Sequence, residues 1–359
     1  MSMSIPYMLF RGGSSKGIFF HKRDLPQDEL LRNKIVLAAM EGVGRGDLRQ
    51  IDGMGGATSL TSKVAVISLS NHEGADLDYL FLQVVIGKGE ISTTQTCGNV
   101  LAAVLPFAIE SGLIKATHPT TSAKVNMVNT GGICEVTVET PNGIMNYAGQ
   151  STVDGVPGTA APIFCNYLET VGSTCGSLFP TGNVLDKFEN ISITCIDNGM
   201  PEIIVNASDL AITGYERPEE LDANEILKKR LERIRLHFGP KMNLGEVLHK
   251  TVPKMCIVSK AKNSGAINTR TFIPHVCHEA IGVLGAVSTA TACIVEGTVA
   301  NKIASLSIAS SEVRSIEHPT GEFTVQLETS IQDGIVSILN SKVIRTARLI
   351  SKGEIFIPA

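Results

Sequence analysis

Four landmarks occur twice in this chain, in one order and at nearly constant separation. An Asp-Leu pair (Asp24 and Asp209), a surface helix (near Asp28 and Asn224), a lysine entering an apolar strand (Lys63 and Lys254) and a cysteine ahead of an apolar segment (Cys97 and Cys277) recur at offsets of 185, 196, 191 and 180 residues. A period of about half the chain means two copies of one domain rather than a solenoid. Each copy would hold ~180 residues, a normal domain size. The expected division is 1–183 and 184–359, with a C-terminal strand at 353–358 crossing back to complete the first sheet.

Within each copy the pattern is one of strands and turns. Short runs rich in Val, Ile and Thr, 34 glycines and no tryptophan favour strands and tight connections. Few segments read as helical, the clearest being 28–42, 98–111, 224–238 and 279–295, and the fold class expected is α+β. Charged residues make up 18% of the chain, the net charge is -4 and no block of like charges occurs. A nucleic-acid surface and a polybasic membrane patch are therefore not expected. The eight cysteines form no CxxC pair, which reads as reduced thiols and argues against a structural zinc site. The first residues lack the charged start of a signal peptide, and no run of 18 apolar residues follows. A soluble cytoplasmic protein is the expectation.

The stretch STTQTCGNVLAAVLPFAIESG places Cys97 where a polar run gives way to an apolar segment of helical length. The first amides of a helix have no internal partner and carry partial positive charge, which favours a thiolate and binds a carboxylate or enolate. Gly98 permits close approach of a ligand, and Asn99 adds a donor and an acceptor. An inert packed thiol is the competing reading, since free cysteine is often buried. Lys63, in SLTSKVAV, stands where a polar loop enters an apolar strand, a place suited to an acid or base. Most lysines so placed only reach back to water. Arg11 and Lys16 in the first turn, and Arg270 in TRT before the second cysteine, are candidates for substrate carboxylates. His275, Cys277 and His278 invite a metal reading, but no fourth ligand has suitable spacing, so none is expected. No GxSxG, GxGxxG or GxxxxGK[ST] falls between a strand and a helix, leaving hydrolase and nucleotide readings without support.

Taken together, RGGSSKGIFF, LTSKVAV, TTQTCGNV and TRTFIPHVCHEAIGV resemble the PrpF family, of the diaminopimelate epimerase-like fold, over essentially the whole chain. The resemblance implies two similar domains, each a mixed sheet curled around a central helix, with the active site between them. It implies a cofactor-independent isomerase that performs a 1,3-proton shift on an unsaturated tricarboxylate, closest to the branch acting on 4-oxalomesaconate and more distantly to 2-methylaconitate isomerases. Cys97 and Lys63 match the family's reacting cysteine and lysine. Ser14, Ser15, Arg270 and His278 would hold carboxylates, and the Gly98 and Asn99 amides the enolate. Cys277 would occupy the second helix start, although HVCHEA departs from the epimerases' Ala-Cys-Gly-Thr-Gly. An amino-acid epimerase would need Cys277 as a second thiol, and a non-catalytic sensor would need neither Cys97 nor Lys63. The expected partner is a small di- or tricarboxylate, with no nucleic acid, membrane, cofactor or metal; oligomeric state is open, a homodimer included.

Overall fold

The computed structural model describes residues 3–357 except 45, 94, 306–312 and 333–334. Residue 358 of the expected final strand lies outside them. The chain forms two compact units, Met1–Asn166 with Ile344–Ala359, and Tyr167–Val343. The division thus falls at 166/167, upstream of 183/184, and the C-terminal segment belongs to the first unit. Among the described residues no helix is long and apolar enough to cross a membrane.

The first unit begins with β1 (Met3–Gly12), β2 (Ser15–His21), α1 (Glu29–Glu41), β3 (Lys63–Leu69), β4 (Leu77–Val85) and β5 (Glu90–Ser92). It continues with α2 (Gly98–Leu101), α3 (Val104–Glu110), β6 (Thr120–Met127) and β7 (Gly132–Glu139). β1 and β2 pair antiparallel, β2 and β3 parallel, β3 and β4 antiparallel, β4 and β6 parallel, and β6 and β7 antiparallel. β8 (Ile163–Leu168) carries the chain onward.

The second unit holds β9 (Asp186–Phe188), β10 (Ile191–Asp197), β11 (Pro201–Asn206), α4 (Pro218–Asp222), α5 (Glu225–Phe238) and β12 (Lys254–Ser259). Then come β13 (Ile267–Phe272), α6 (Val283–Ile294), β14 (Val313–His318), β15 (Gly321–Gln332) and β16 (Ile335–Arg345). From β10 to β15 the successive pairings are antiparallel, parallel, antiparallel, parallel and antiparallel, the same series as in the first unit. β17 (Ala347–Ile357) lies antiparallel to β1, from Met3 opposite Ile357 to Gly12 opposite Ala347.

β2, β3 and β10 to β12 are buried on both faces, which explains why they read as nearly continuous apolar runs, whereas β6 and β7 alternate buried with more exposed residues. In β2, Ile18 and Phe20 join the core under α1, where Ile35, Val36, Ala39 and Met40 lie. Phe19, pointing the other way, packs against Phe10 and against Phe107 of α3. In the second unit Leu227, Leu231, Ile234 and Phe238 repeat at helical spacing along α5 and cover Ile193, Ile203, Val205, Met255 and Ile257. On the other side α6 packs against β10, β11, β14 and β15, and ten of its twelve residues are buried.

Two helices differ from expectation. The single helix expected at 98–111 is broken after Leu101, because Pro106 has no N–H to give the carbonyl of Ala102. The helix expected from 279 starts only at Val283, with Gly282 as its N-cap. The residues before it are held to the sheet: Cys277 bridges Phe272, and the His278 N–H donates to the Thr271 carbonyl at 2.8 Å.

Candidate active site

Eight of the expected residues, Arg11, Ser14, Ser15, Lys16, Lys63, Cys97, Gly98 and Asn99, belong to the first unit. The β1–β2 turn reaches the start of α2 through Asn99: the Ser14 N–H donates to Asn99 Oδ1 at 3.4 Å, and Asn99 Nδ2 donates to Ser14 Oγ at 3.2 Å. Gly13 makes this approach feasible, having φ +51°, and a Cβ there would stand 2.0 Å from Asn99 Oδ1. Gly13→Ala is therefore expected to push Asn99 off Ser14 and to cost about 1–3 kcal/mol of stability. A denaturation midpoint equal to wild type would contradict this contact. Arg11 serves the same turn, its Nη1 donating to the carbonyls of Gly13 and Thr346 at 2.8 and 3.1 Å. Ser15 is buried, and its Oγ has no hydrogen-bond partner among the described residues.

Cys97 is the N-cap residue of α2. It alone of the eight cysteines is not buried. Burial pushes the thiols of Cys175, Cys277 and Cys293 up to about 12, and those of Cys134, Cys195 and Cys256 well above the ordinary range. Those six are protonated packing thiols at neutral pH. The Tyr79 hydroxyl, kept protonated chiefly by burial, donates to the Cys97 carbonyl at 3.1 Å and fixes the turn that carries the thiol.

Lys63 opens β3, with Gly17 of β2 on one side and Gln83 of β4 on the other. Gly17 is needed there, since a Cβ would lie 2.7 Å from the Lys63 carbonyl. The Lys63 ammonium is 7% exposed as a residue, donates to Gln83 Oε1 at 2.7 Å and sits 5.1 Å from the centre of the Phe81 ring. Tyr79 and Gln83 had no signal as single residues. They share one face of β4 with Phe81 by the strand's period of two, and that face braces both Cys97 and Lys63.

Arg270, Cys277 and His278 lie in the second unit. Arg270 Nε donates to the Glu216 carbonyl at 2.7 Å, and its Nη1 donates to Asn268 Oδ1 and to the Thr269 carbonyl at 3.1 and 2.8 Å. Cys277 is not at a helix start: it is 4% exposed within an apolar core, and its N–H donates to Asp222 Oδ1 at 2.7 Å. That removes the helix-dipole argument for its thiol. The HVCH run is also split by role, with His278 Nδ1 accepting from the Ala280 N–H at 2.8 Å and His275 Nδ1 3.7 Å from Glu232 Oε2. Among the described residues no three His, Cys, Asp or Glu side chains converge as a metal would require.

The lysine of the second unit has a different environment. Lys254 faces Glu202 in register across β11 and β12. Glu202 is fully buried, accepts from Thr289 Oγ1 at 2.9 Å, and is pushed up to about 8 by burial. Burial brings Lys254 down to about 8, partly opposed by Glu202. The duplicated position thus holds a lysine facing a glycine in one unit and a lysine facing a carboxyl group in the other.

Comparison with known proteins agrees with this architecture. Residues 2–358 match the family model described as PrpF protein. The chain is 49% identical to the 4-oxalomesaconate tautomerase of Pseudomonas putida, covering 98% of this chain and 96% of that one. It is 48% identical to the (4E)-oxalomesaconate Delta-isomerase of a Novosphingobium species, covering 99% and 98%. The crystal structure of a methylitaconate-delta-isomerase superposes with a TM-score of 0.84 at 32% identity, over 99% of this chain and 96% of that one. The chain is an isomerase and belongs to the PrpF family.

Proposed function

We propose that this protein is a tautomerase of 4-oxalomesaconate that moves a proton between carbon and oxygen with Cys97 and Lys63. The observation that carries the reading is local to the first unit. One partly exposed thiol at a helix start and one nearly buried ammonium are braced from the same face of β4. The names of the relatives that match this chain end to end supply the substrate class.

The reaction breaks a C–H bond next to the keto group. Its electron pair becomes the new C=C bond, and the carbonyl π pair moves to oxygen, which takes up a proton. Cys97 and Lys63 between them accept the first proton and deliver the second. Charge that develops on oxygen meets the amides of Gly98 and Asn99, which have no partner within the helix. Asn99, tied to Ser14, orients the adjoining carboxylate. The eight free thiols suit a reducing cytoplasm.

Ultraviolet absorbance tests the substrate. With 4-oxalomesaconate and 2-methylaconitate assayed in parallel, the enol chromophore is expected to change rapidly in the keto acid only. Turnover of the aconitate alone would reassign the protein to double-bond migration.

A further inference from the structure

We propose that Gln83 is a positioning residue for Lys63, a neutral acceptor that holds the ammonium in place without pairing it with a charge. The inference rests on the role of Lys63 given above.

The Gln83 amide can be oriented in only one way. Its Nε2 donates to the carbonyls of Ser59, Ser62 and Val84 at 3.2, 3.0 and 3.2 Å. Reversing the amide would set its oxygen against three other oxygens, so Oε1 must face Lys63 Nζ. A second glutamine secures the same segment from behind. Gln50, buried and held at φ +50°, accepts from Ser62 Oγ at 2.6 Å and from the Ala57 N–H at 2.9 Å. A non-glycine residue in that region is strained, and the strain is sustained here by two hydrogen bonds that anchor the loop just before the lysine.

No ion pair involves Lys63 among the described residues. The groups around it are Gly17 on β2 with Lys16 beside it, Phe81 and Gln83 on β4, Ser92 opposite Gln83 on β5, and Ser59 and Ser62 in the loop. Lys254 shows the alternative, a carboxyl group in the adjacent strand position. A carboxylate would stabilise the charged lysine and resist its losing a proton; an amide oxygen fixes the direction of the ammonium without adding a charge beside it.

The test compares wild type, Lys63→Ala, Gln83→Leu and Gln83→Glu. Gln83→Leu is expected to lower kcat by about 10- to 100-fold with KM changed less than about threefold, since misplacing a reacting group costs rate more than binding. Gln83→Glu is expected to move the pH–rate limb governed by Lys63 upward by about one unit or more, whether the lysine acts as acid or base. The same upward shift is expected when the Lys63 amine is titrated by competitive acetylation with acetic anhydride and mass spectrometry, which needs no substrate. Should Gln83→Leu fail to fold, the Gln83→Glu titration decides. An unmoved limb and unmoved acetylation profile, with Lys63→Ala inactive, would overturn the role of Gln83 and leave the catalytic lysine standing. A fully active Lys63→Ala would instead remove the reading on which it rests.

Discussion

Lys63→Ala is expected to lower kcat by about 10³-fold or more, the scale of a lost acid or base in a proton transfer. The substitution also leaves Gln83 Oε1 without its donor, which sets a stability cost of about 1–3 kcal/mol. The two effects separate cleanly. A folded protein with a slightly lower denaturation midpoint and almost no turnover is the expected result. Lys63→Met, which keeps the stem over Phe81 but has no proton to exchange, should recover part of the stability and none of the rate. Activity within tenfold of wild type in either variant would exclude Lys63 from the proton transfer.

Cys97→Ser is the second large effect. A serine hydroxyl is nearly isosteric but far less acidic than a thiol, so a loss of about 10²- to 10⁴-fold in kcat is expected. Stability should be close to wild type, because Tyr79 holds the carbonyl of residue 97 and not its sulfur. The exposure pattern adds a chemical readout. Cys97 is the one cysteine that is not buried, so brief treatment with iodoacetamide should alkylate it ahead of the other seven and abolish turnover, with substrate giving protection. Rapid alkylation of Cys277 instead would contradict its placement in the core of the second unit.

How far these features could be read from the sequence depends on how local their cause is. The lysine at the head of β3 was legible because a polar loop ends and a Val-rich strand begins at one residue. Cys97 was legible because polar Thr96 gives way to an apolar helical run. Cys277 misled because HVCHEA also precedes an apolar segment; its N–H is tied to Asp222, 55 residues away in sequence, and it bridges the end of β13 at Phe272, so the helix begins only at Val283. Pro106 could have signalled the break between α2 and α3, but the unbroken apolar character of 100–109 outweighed it. Gln83, Tyr79 and Gln50 carry no motif at all. Their importance arises from pairing across strands and from a loop folding back, which only the fold brings about.

The most direct measurement is exchange of the substrate's activated C–H with D₂O, followed by proton NMR for wild type, Cys97→Ser and Lys63→Ala with 4-oxalomesaconate. Rapid exchange in wild type, falling to the uncatalysed rate in both variants, is the expected result. Exchange at the wild-type rate in either variant would show that the proton moves by a route that does not include that residue.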